Sequence, residues 1–313
     1  MNKNPLISVI ILSYNVPEDV IDCVRSIKRQ TYKPIEILVV DNGSDERTVK
    51  LLKQKLSGVT FLWNSKNLGR TGGYNVGIKK VKGKSILLLD QDTIADKAMV
   101  AELQKTLASD PLIGAVGPLI VFYDKPNWVW STGTWVNMIT GKTHFINYHA
   151  RIADKEVKKM REVQQYPTAI LIKADILQTI KGFDEDIFMV YCDSSLCLKI
   201  LHKGYKILYV PTAKVLHKEP VQVDGVNQLG AGSKVRAFLI GRNRIIFMNR
   251  YASWLGFVIF TVCFLPIYVT YYSWIFIKNK QFPILLAFLK GTGYGLLHCI
   301  GARENIGSVL SNL

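Results

Sequence analysis

Three short runs of branched apolar residues limit what this chain can fold into: Ile7 to Leu12, Ile35 to Val40 and Ser85 to Leu89. Each is too short for a globular helix and too uniformly apolar for a strand with one wet face. They are therefore expected to be strands buried on both sides. Between them the apolar residues change to helical spacing, with Val20, Ile21, Val24 and Ile27 inside 18–30 and Leu51, Leu52 and Leu56 further on. A short strand at 59–63 and a helix near 74–81 complete the pattern. Strand and helix alternating over about ninety residues predicts an α/β fold, Rossmann-like, with a mainly parallel sheet and helices on both faces. Polar clusters close the strands at Ser13-Tyr14-Asn15, Asp41 to Ser44 and Asp90 to Thr93. Ligands of open α/β sheets bind beyond the carboxyl ends of the strands, so the three clusters are expected to share one site.

Further along, 112–148 reads as short strands with three tryptophans, Trp128, Trp130 and Trp135. The charge-dense stretch 151–165 reads as a mobile, solvated connector. Order resumes with a strand at 169–172, a helix at 194–203 and a strand at 205–210. Lys and Arg number 40 against 24 Asp and Glu, a net charge of +16 that calls for a polyanionic partner. Ten of these cations lie between Lys199 and Arg250, against two acids, Glu219 and Asp224. Trp254 to Ile277 then runs without a formal charge, long enough to cross roughly 30 Å of hydrocarbon. Trp254, Tyr271, Tyr272 and Trp274 lie near its ends, and Pro266 could kink it or fold it into a hairpin. Phe282 to Ile300 is a second apolar segment, interrupted by Lys290, Gly291, Gly293 and Gly295.

Arg242, Arg244 and Arg250 precede the first apolar segment, and Lys278 and Lys280 follow it. Charge on both sides leaves its orientation open and suits helices lying in the headgroup plane equally well. The expectation is a catalytic domain at 1–250 and a membrane-associated helical region at 251–313. The active part is expected on the cytoplasmic side, since no signal peptide is apparent and the five cysteines form neither a disulfide framework nor a zinc spacing. No nucleic-acid-binding motif is present, so an anionic membrane or a phosphorylated small molecule is the expected polyanion. A homo-oligomer is compatible with all of this.

Three motifs carry chemistry. Asp90-Gln91-Asp92 ends a buried strand, and carboxylates at i and i+2 of an extended segment can approach one hard cation, Mg²⁺ or Mn²⁺, bridging a nucleoside diphosphate. In Asn67-Leu68-Gly69-Arg70-Thr71-Gly72-Gly73-Tyr74-Asn75, glycines ahead of a helix can offer N–H groups to phosphate, and Arg70 can add a charge-assisted contact. Its spacing fits neither the P-loop nor the dinucleotide fingerprint. The third is Gly182-Phe183-Asp184-Glu185-Asp186, followed by Tyr191-Cys192-Asp193. Here Asp193 opens a helical pattern and can be an N-cap, a general base, or both.

Taken in order, SVIILSYN, EILVVDNGSDE, the asparagine–glycine loop, LLLDQDT, GFDEDIFMVYCDSSLCLKILHKGY and YVPTAKVLHKE resemble the family 2 inverting glycosyltransferases of GT-A fold over roughly residues 6–250. The DQD version with this loop is similar to bacterial rhamnosyltransferases of surface polysaccharide assembly. The resemblance implies Asp41 at the donor base or ribose, with Ser13, Tyr14 and Asn15 beside it. Asn67, Arg70, Gly72, Gly73, Asn75, Asp90 and Gln91 complete the donor site. Asp90, Asp92 and His217 would hold the metal, and Asp193 would be the catalytic base. Cys192 stands where the family usually has an acid. The Gln-x-x-Arg-Trp signature of processive synthases is absent, favouring transfer of one or a few sugars. The implied donor is a dTDP- or UDP-sugar, rhamnose first, and the acceptor a lipid-linked saccharide. The alternatives are a UDP-hexose or galactofuranose transferase and an inactive membrane-bound scaffold of transferase-like fold.

Overall fold

The computed structural model describes residues 4–218, 232–302 and 306–311. The segment carrying Glu219 and Asp224 lies outside them. Residues divide by mutual contact into two compact units. The first holds 1–135, 145–184 and 196–220; the second holds 136–144, 185–195 and 221–313.

In the first unit, β1 (Ile7–Ser13), α1 (Pro17–Lys28), β2 (Ile35–Asp41), α2 (Glu46–Lys55), β3 (Thr60–Trp63), α3 (Gly69–Ile78) and β4 (Ser85–Asp90) follow the expected alternation. Ile7, Val9, Ile10 and Ile11 of β1 and Leu87 and Leu89 of β4 are wholly buried, as strands covered on both faces must be. β5 (Thr93–Ala95), α4 (Met99–Leu107), β6 (Ile113–Phe122), β7 (Val129–Ser131), β8 (Thr134–Val136), β9 (Thr143–Phe145), β10 (Arg161–Glu162), β11 (Ala169–Lys173), α5 (Ala174–Thr179), α6 (Cys192–His202) and β12 (Lys206–His217) come next in the chain. A ten-stranded sheet runs in the order β10-β12-β6-β11-β4-β1-β2-β3, with β5 on β12 and β7 on β6. Strands β4, β1, β2 and β3 are parallel, as are β6 and β12, whereas β11 is antiparallel to both its neighbours.

Two expectations change. Strand β12 does not stop at Val210 but continues to His217. Its register against β6 shifts between Val210 and Lys214, across Pro211, and Val210 pairs with Pro118. Prolines bring no donor to the ladder, so the strand bulges there and then resumes. Beyond the bulge, β12 also pairs with β5, placing His217 opposite Thr93. The stretch 151–165 is anchored rather than loose. Val157 is buried, its carbonyl accepts from Tyr209 Oη at 2.6 Å, and Arg161 and Glu162 pair with β12.

In the second unit, α7 (Lys234–Tyr251) packs along α10 (Phe282–Cys299). A Cβ on Gly291 would lie 2.0 Å from the Phe238 carbonyl oxygen, and one on Gly241 2.7 Å from the Phe288 oxygen. The glycines that seemed to interrupt an apolar segment are thus the seam where two backbones meet, as in small-residue helix packing. Between these two helices in sequence, α8 (Trp254–Ile259) passes through a π-turn at Phe260–Phe264 into α9 (Leu265–Lys278). The π-turn directly precedes Pro266, so the helix absorbs the proline without folding into a hairpin. The run Trp254–Lys278 contains an 18-residue stretch of mean hydropathy 1.8 and is long and apolar enough to cross a membrane. Phe260, Tyr272 and Phe276 are buried, while Trp254, Val262, Ile267 and Trp274 are 56–79% exposed. A short α11 (Ile306–Ser311) closes the described chain, its Ile306 and Val309 against Phe238 and Ala287.

Candidate active site

The three polar clusters form linked networks. Asp41 ends β2, buried, and its carboxylate accepts from Ser44 N at 2.9 Å, Ser44 Oγ at 2.6 Å and Ser13 Oγ at 3.3 Å. Asn15, in a left-handed conformation (φ 54°), donates its backbone N–H to Ser44 Oγ and accepts from Asp45 N. Tyr14 N donates to Gln91 Oε1 at 2.8 Å, tying the β1 loop to the β4 loop, and its ring is exposed. Asn42 holds the next loop. Its amide donates to Asn67 Oδ1 and Gly69 O, and its oxygen accepts from Asn64 Nδ2 and Leu68 N.

The glycine stretch differs from expectation. Gly69 to Gly77 are not a loop before a helix but the body of α3 itself. A Cβ on Gly73 would fall 2.4 Å from Leu12 Cδ1, so this residue lets the helix lie directly on β1. Gly72 faces Leu68, whose Cβ would be 2.7 Å away. Asn75 is buried and exchanges two hydrogen bonds with the Phe183 backbone, at 2.9 and 3.0 Å. Nearby, Asp184 is paired with Lys199 at 3.0 Å.

The two carboxylates of Asp90-Gln91-Asp92 have different partners. Asp90 is the last residue of β4, and its Oδ1 accepts from Arg70 and from Tyr74 Oη at 3.0 Å. Arg70 is therefore engaged by a carboxylate. Gln91 and Asp92 lie in a turn, so the alternation of an extended segment does not extend to Asp92. Asp92 Oδ2 instead meets His217 Nε2 at 3.4 Å, brought there by the β5–β12 pairing. Asp92 Oδ1 is buried with no hydrogen-bond partner among the described residues. Burial pushes the Asp92 carboxyl up, but the hydrogen bond and charge of His217 and the charge of Arg70 outweigh it and hold it below the usual carboxylate range. His217 is buried edge-on against Trp130, ring centroids 4.7 Å apart.

A buried carboxylate oxygen without a donor, beside an imidazole, is a donor set that fits a divalent cation. Among the described residues no three His, Cys, Asp or Glu side chains converge. The fit is thus to an ion held by Asp92 and His217 that takes its remaining oxygens from elsewhere.

Asp193 lies in the second unit, partly exposed in the first turn of α6. Phe188 and Tyr191, just ahead of it, have φ of 63° and 71°, backbone geometry that needs outside support in non-glycine residues. Asn243 of α7 supplies it, donating to Ile187 O at 2.7 Å and Val190 O at 2.9 Å. Arg244 Nε donates to Tyr191 Oη at 3.1 Å, and Tyr251 Oη lies 2.7 Å from Ser195 Oγ. None of these supports stands out in the sequence, apart from the polar triplet Arg242-Asn243-Arg244 set in an apolar helix.

The chain is thus an α/β protein whose strand ends carry a loop-bound carboxylate and an Asp–His pair suited to a cation. Residues 8–179, more than half of it, match the family described as glycosyl transferase family 2, and the chain belongs to that family. An uncharacterized glycosyltransferase of Haemophilus influenzae is 32% identical over 120 residues, 37% of each chain. The poly-beta-1,6-N-acetyl-D-glucosamine synthase of Staphylococcus aureus is 24% identical over 241 residues, 72% of this chain and 55% of the synthase. The chain spans about a third to a half of the length of these curated relatives. Among solved structures, the mannosyltransferase PcManGT from Pyrobaculum calidifontis, in complex with GDP-Man and Mn²⁺, aligns with a TM-score of 0.57 at 16% identity. The alignment covers 99% of this chain and 80% of that one, a likeness of fold.

Proposed function

We propose that the protein is a metal-dependent inverting glycosyltransferase that moves a sugar from a nucleoside diphosphate donor to a lipid-linked saccharide during cell-surface polysaccharide assembly. The observation that carries this is the Asp92–His217 pair, with Asp92 Oδ1 buried and lacking a hydrogen-bond partner among the described residues, near strand ends in a family 2 chain. Asp92 and His217 would hold Mn²⁺ or Mg²⁺, which when bound neutralises charge on the departing diphosphate. Asp41, with Ser13, Tyr14 and Asn15, takes the nucleoside end. Asp193 accepts the proton of the attacking hydroxyl. Asp90 acts through Arg70 and Tyr74, keeping the guanidinium near the diphosphate.

Rhamnose from dTDP-rhamnose is the first donor in this reading, with UDP-hexoses next. The synthase relative supports polysaccharide chemistry, and the exposed apolar faces of α8, α9 and α10 support work at a membrane, which this reading takes to be its cytoplasmic face. A thermal-shift screen of nucleotide sugars with and without Mn²⁺ tests the reading, since a ligand at one hundred times its Kd stabilises by about 2.7 kcal/mol. A Mn²⁺-dependent rise with one donor is expected, and it should disappear in Asp92→Asn. Asp193→Asn should keep that rise and lose transfer. A screen in which no nucleotide sugar stabilises the protein, with or without metal, would end the proposal.

A further inference from the structure

By length and composition the run Trp254–Lys278 suits a path across a bilayer or along one, but its two sides are unlike. One side rests on polar structure over most of its length. A Cβ on Gly256 would lie 2.9 Å from the Met138 carbonyl oxygen, and one on Gly141 3.0 Å from the Phe260 ring. Further along, Arg244 lies over the Tyr268 ring at 4.0 Å, and its Nη2 donates to Tyr272 Oη at 3.3 Å. The same guanidinium holds Tyr191, whose hydroxyl donates to Gly141 O at 3.2 Å. Tyr268 lies about 3 Å along the axis from the middle of the run, by the rise of an α-helix. A helix upright in a bilayer would therefore carry Arg244 to the centre of the hydrocarbon. With it would go the irregular backbone of 136–144 and the exposed Lys142. Charge at that depth is costly, and irregular backbone survives there only inside protein or beside water.

The other side is bare and free of charge. Val258, Val262, Ile267, Tyr271, Trp274 and Ile277 are exposed, at steps of three or four residues with one step of five. That step, Val262 to Ile267, falls across the π-turn at Phe260–Phe264, where an added residue brings the stripe back to the same side. A helix surrounded by lipid has no need of a single apolar stripe, whereas a helix half sunk in one leaflet does. Helix α10 repeats the pattern. Gly291 and Gly295 seat it on α7, while Phe282, Leu286, Leu289 and Leu296 are exposed. From Trp254 to Ala302 the lysines are Lys278, Lys280 and Lys290, all exposed, and there is no acid. Anionic headgroups complement that border. A second copy does not, because a two-fold contact would set these lysines against one another with no carboxylate between them.

We infer that Trp254–Lys278 does not cross the bilayer but lies along one leaflet with α10 beside it, an inference that rests on the membrane part of the proposed function. The test places thiols at the two ends of the run, Ser253→Cys and Lys278→Cys, each in a full chain carrying Cys263→Ser and Cys299→Ser. The other cysteines, Cys23, Cys192 and Cys197, are buried. Sealed inside-out vesicles of cells making these chains are treated with a membrane-impermeant maleimide before and after permeabilisation. Both ends should behave alike, because they lie on the same side, whereas a spanning helix puts one end on each side. A second measurement needs no substitution. On vesicles of anionic lipid, the unaltered chain should lose more tryptophan fluorescence to bromines near the headgroup than to bromines at the ends of the acyl chains. Thiols that react from opposite sides, or quenching strongest from the acyl-chain ends, overturn the in-plane placement alone. A chain that leaves the membranes and sediments from solution, as single or paired copies, overturns the placement and the membrane part of the proposed function together. The nucleotide-sugar screen then judges the transferase on its own.

Discussion

At the scale of single residues, the acids at strand ends were legible because a carboxylate after a fully apolar strand has few places to go but the crevice. Asp41 and Asp90 end β2 and β4, and Asp92 lies in the turn after β4. Their partners were not legible, since Asn42 with Asn64 and Asn67, or Trp130 with His217, are joined by strand pairing rather than by spacing. Thiol chemistry checks the burial pattern. Cys23 is sealed under Thr93, and burial pushes its thiol up to about 12, whereas Cys263 is exposed. A polar thiol reagent at mild pH should label Cys263 in the native protein and reach Cys23 only after unfolding, a contrast that mass spectrometry reads directly. Asp45 gives a pH test. Its carboxylate caps α2 by accepting from Thr48 N at 2.7 Å, and that hydrogen bond lowers its pKa. A lowered folded pKa means the cap contributes in full above the ordinary carboxylate range and fades as pH falls through the folded value. Asp45→Asn keeps a capping oxygen that does not titrate, so below about pH 4 it should lose less stability to acid than the parent does, as measured by denaturant midpoints.

Elements were read well where one period dominated and poorly where a tertiary contact overrode it. The glycines of α3 looked like a loop because glycine disfavours helices, yet contact with β1 excludes any side chain at Gly73. β12 seemed to stop at Pro211, yet bulging opposite Pro118 lets it continue to His217. The α7–α10 seam yields a matched pair of tests. Gly291→Ala forces a methyl onto the Phe238 carbonyl and should cost about 1–3 kcal/mol, the usual penalty of overpacking. A methyl on Gly293 would meet nothing within 4 Å, so Gly293→Ala should stabilise the helix by about 0.5–1 kcal/mol. Asn243→Ala would take a donor from both Ile187 O and Val190 O and should cost about 1–3 kcal/mol. Chemical denaturation separates all three.

For the molecule as a whole, the charge count overstated what lipid would meet. Of the ten cations between Lys199 and Arg250, Lys199 pairs with Asp184, Lys206 with Glu162, Lys218 with Asp19 and Asp22, and Arg250 with Asp186. Arg242 is buried on the Asp186 carbonyl, and Arg244 lies over Tyr268. Apolar surface, rather than net charge, should therefore drive membrane association. The full chain should float with vesicles even at high salt, and vesicles should shield Cys263 from a polar thiol reagent. Flotation abolished by salt would point to charge instead. Ending the chain before Trp254 would remove α10 from α7, the helix whose Asn243 supports the backbone ahead of Asp193. The same arrangement bears on synthesis. The ribosome makes α7 well before the glycine-bearing helix that must seat against it, so the nascent chain carries Phe238 and its neighbours bare until α10 has been made. Translation slowed in that interval should raise the demand for chaperones or for early delivery to a bilayer.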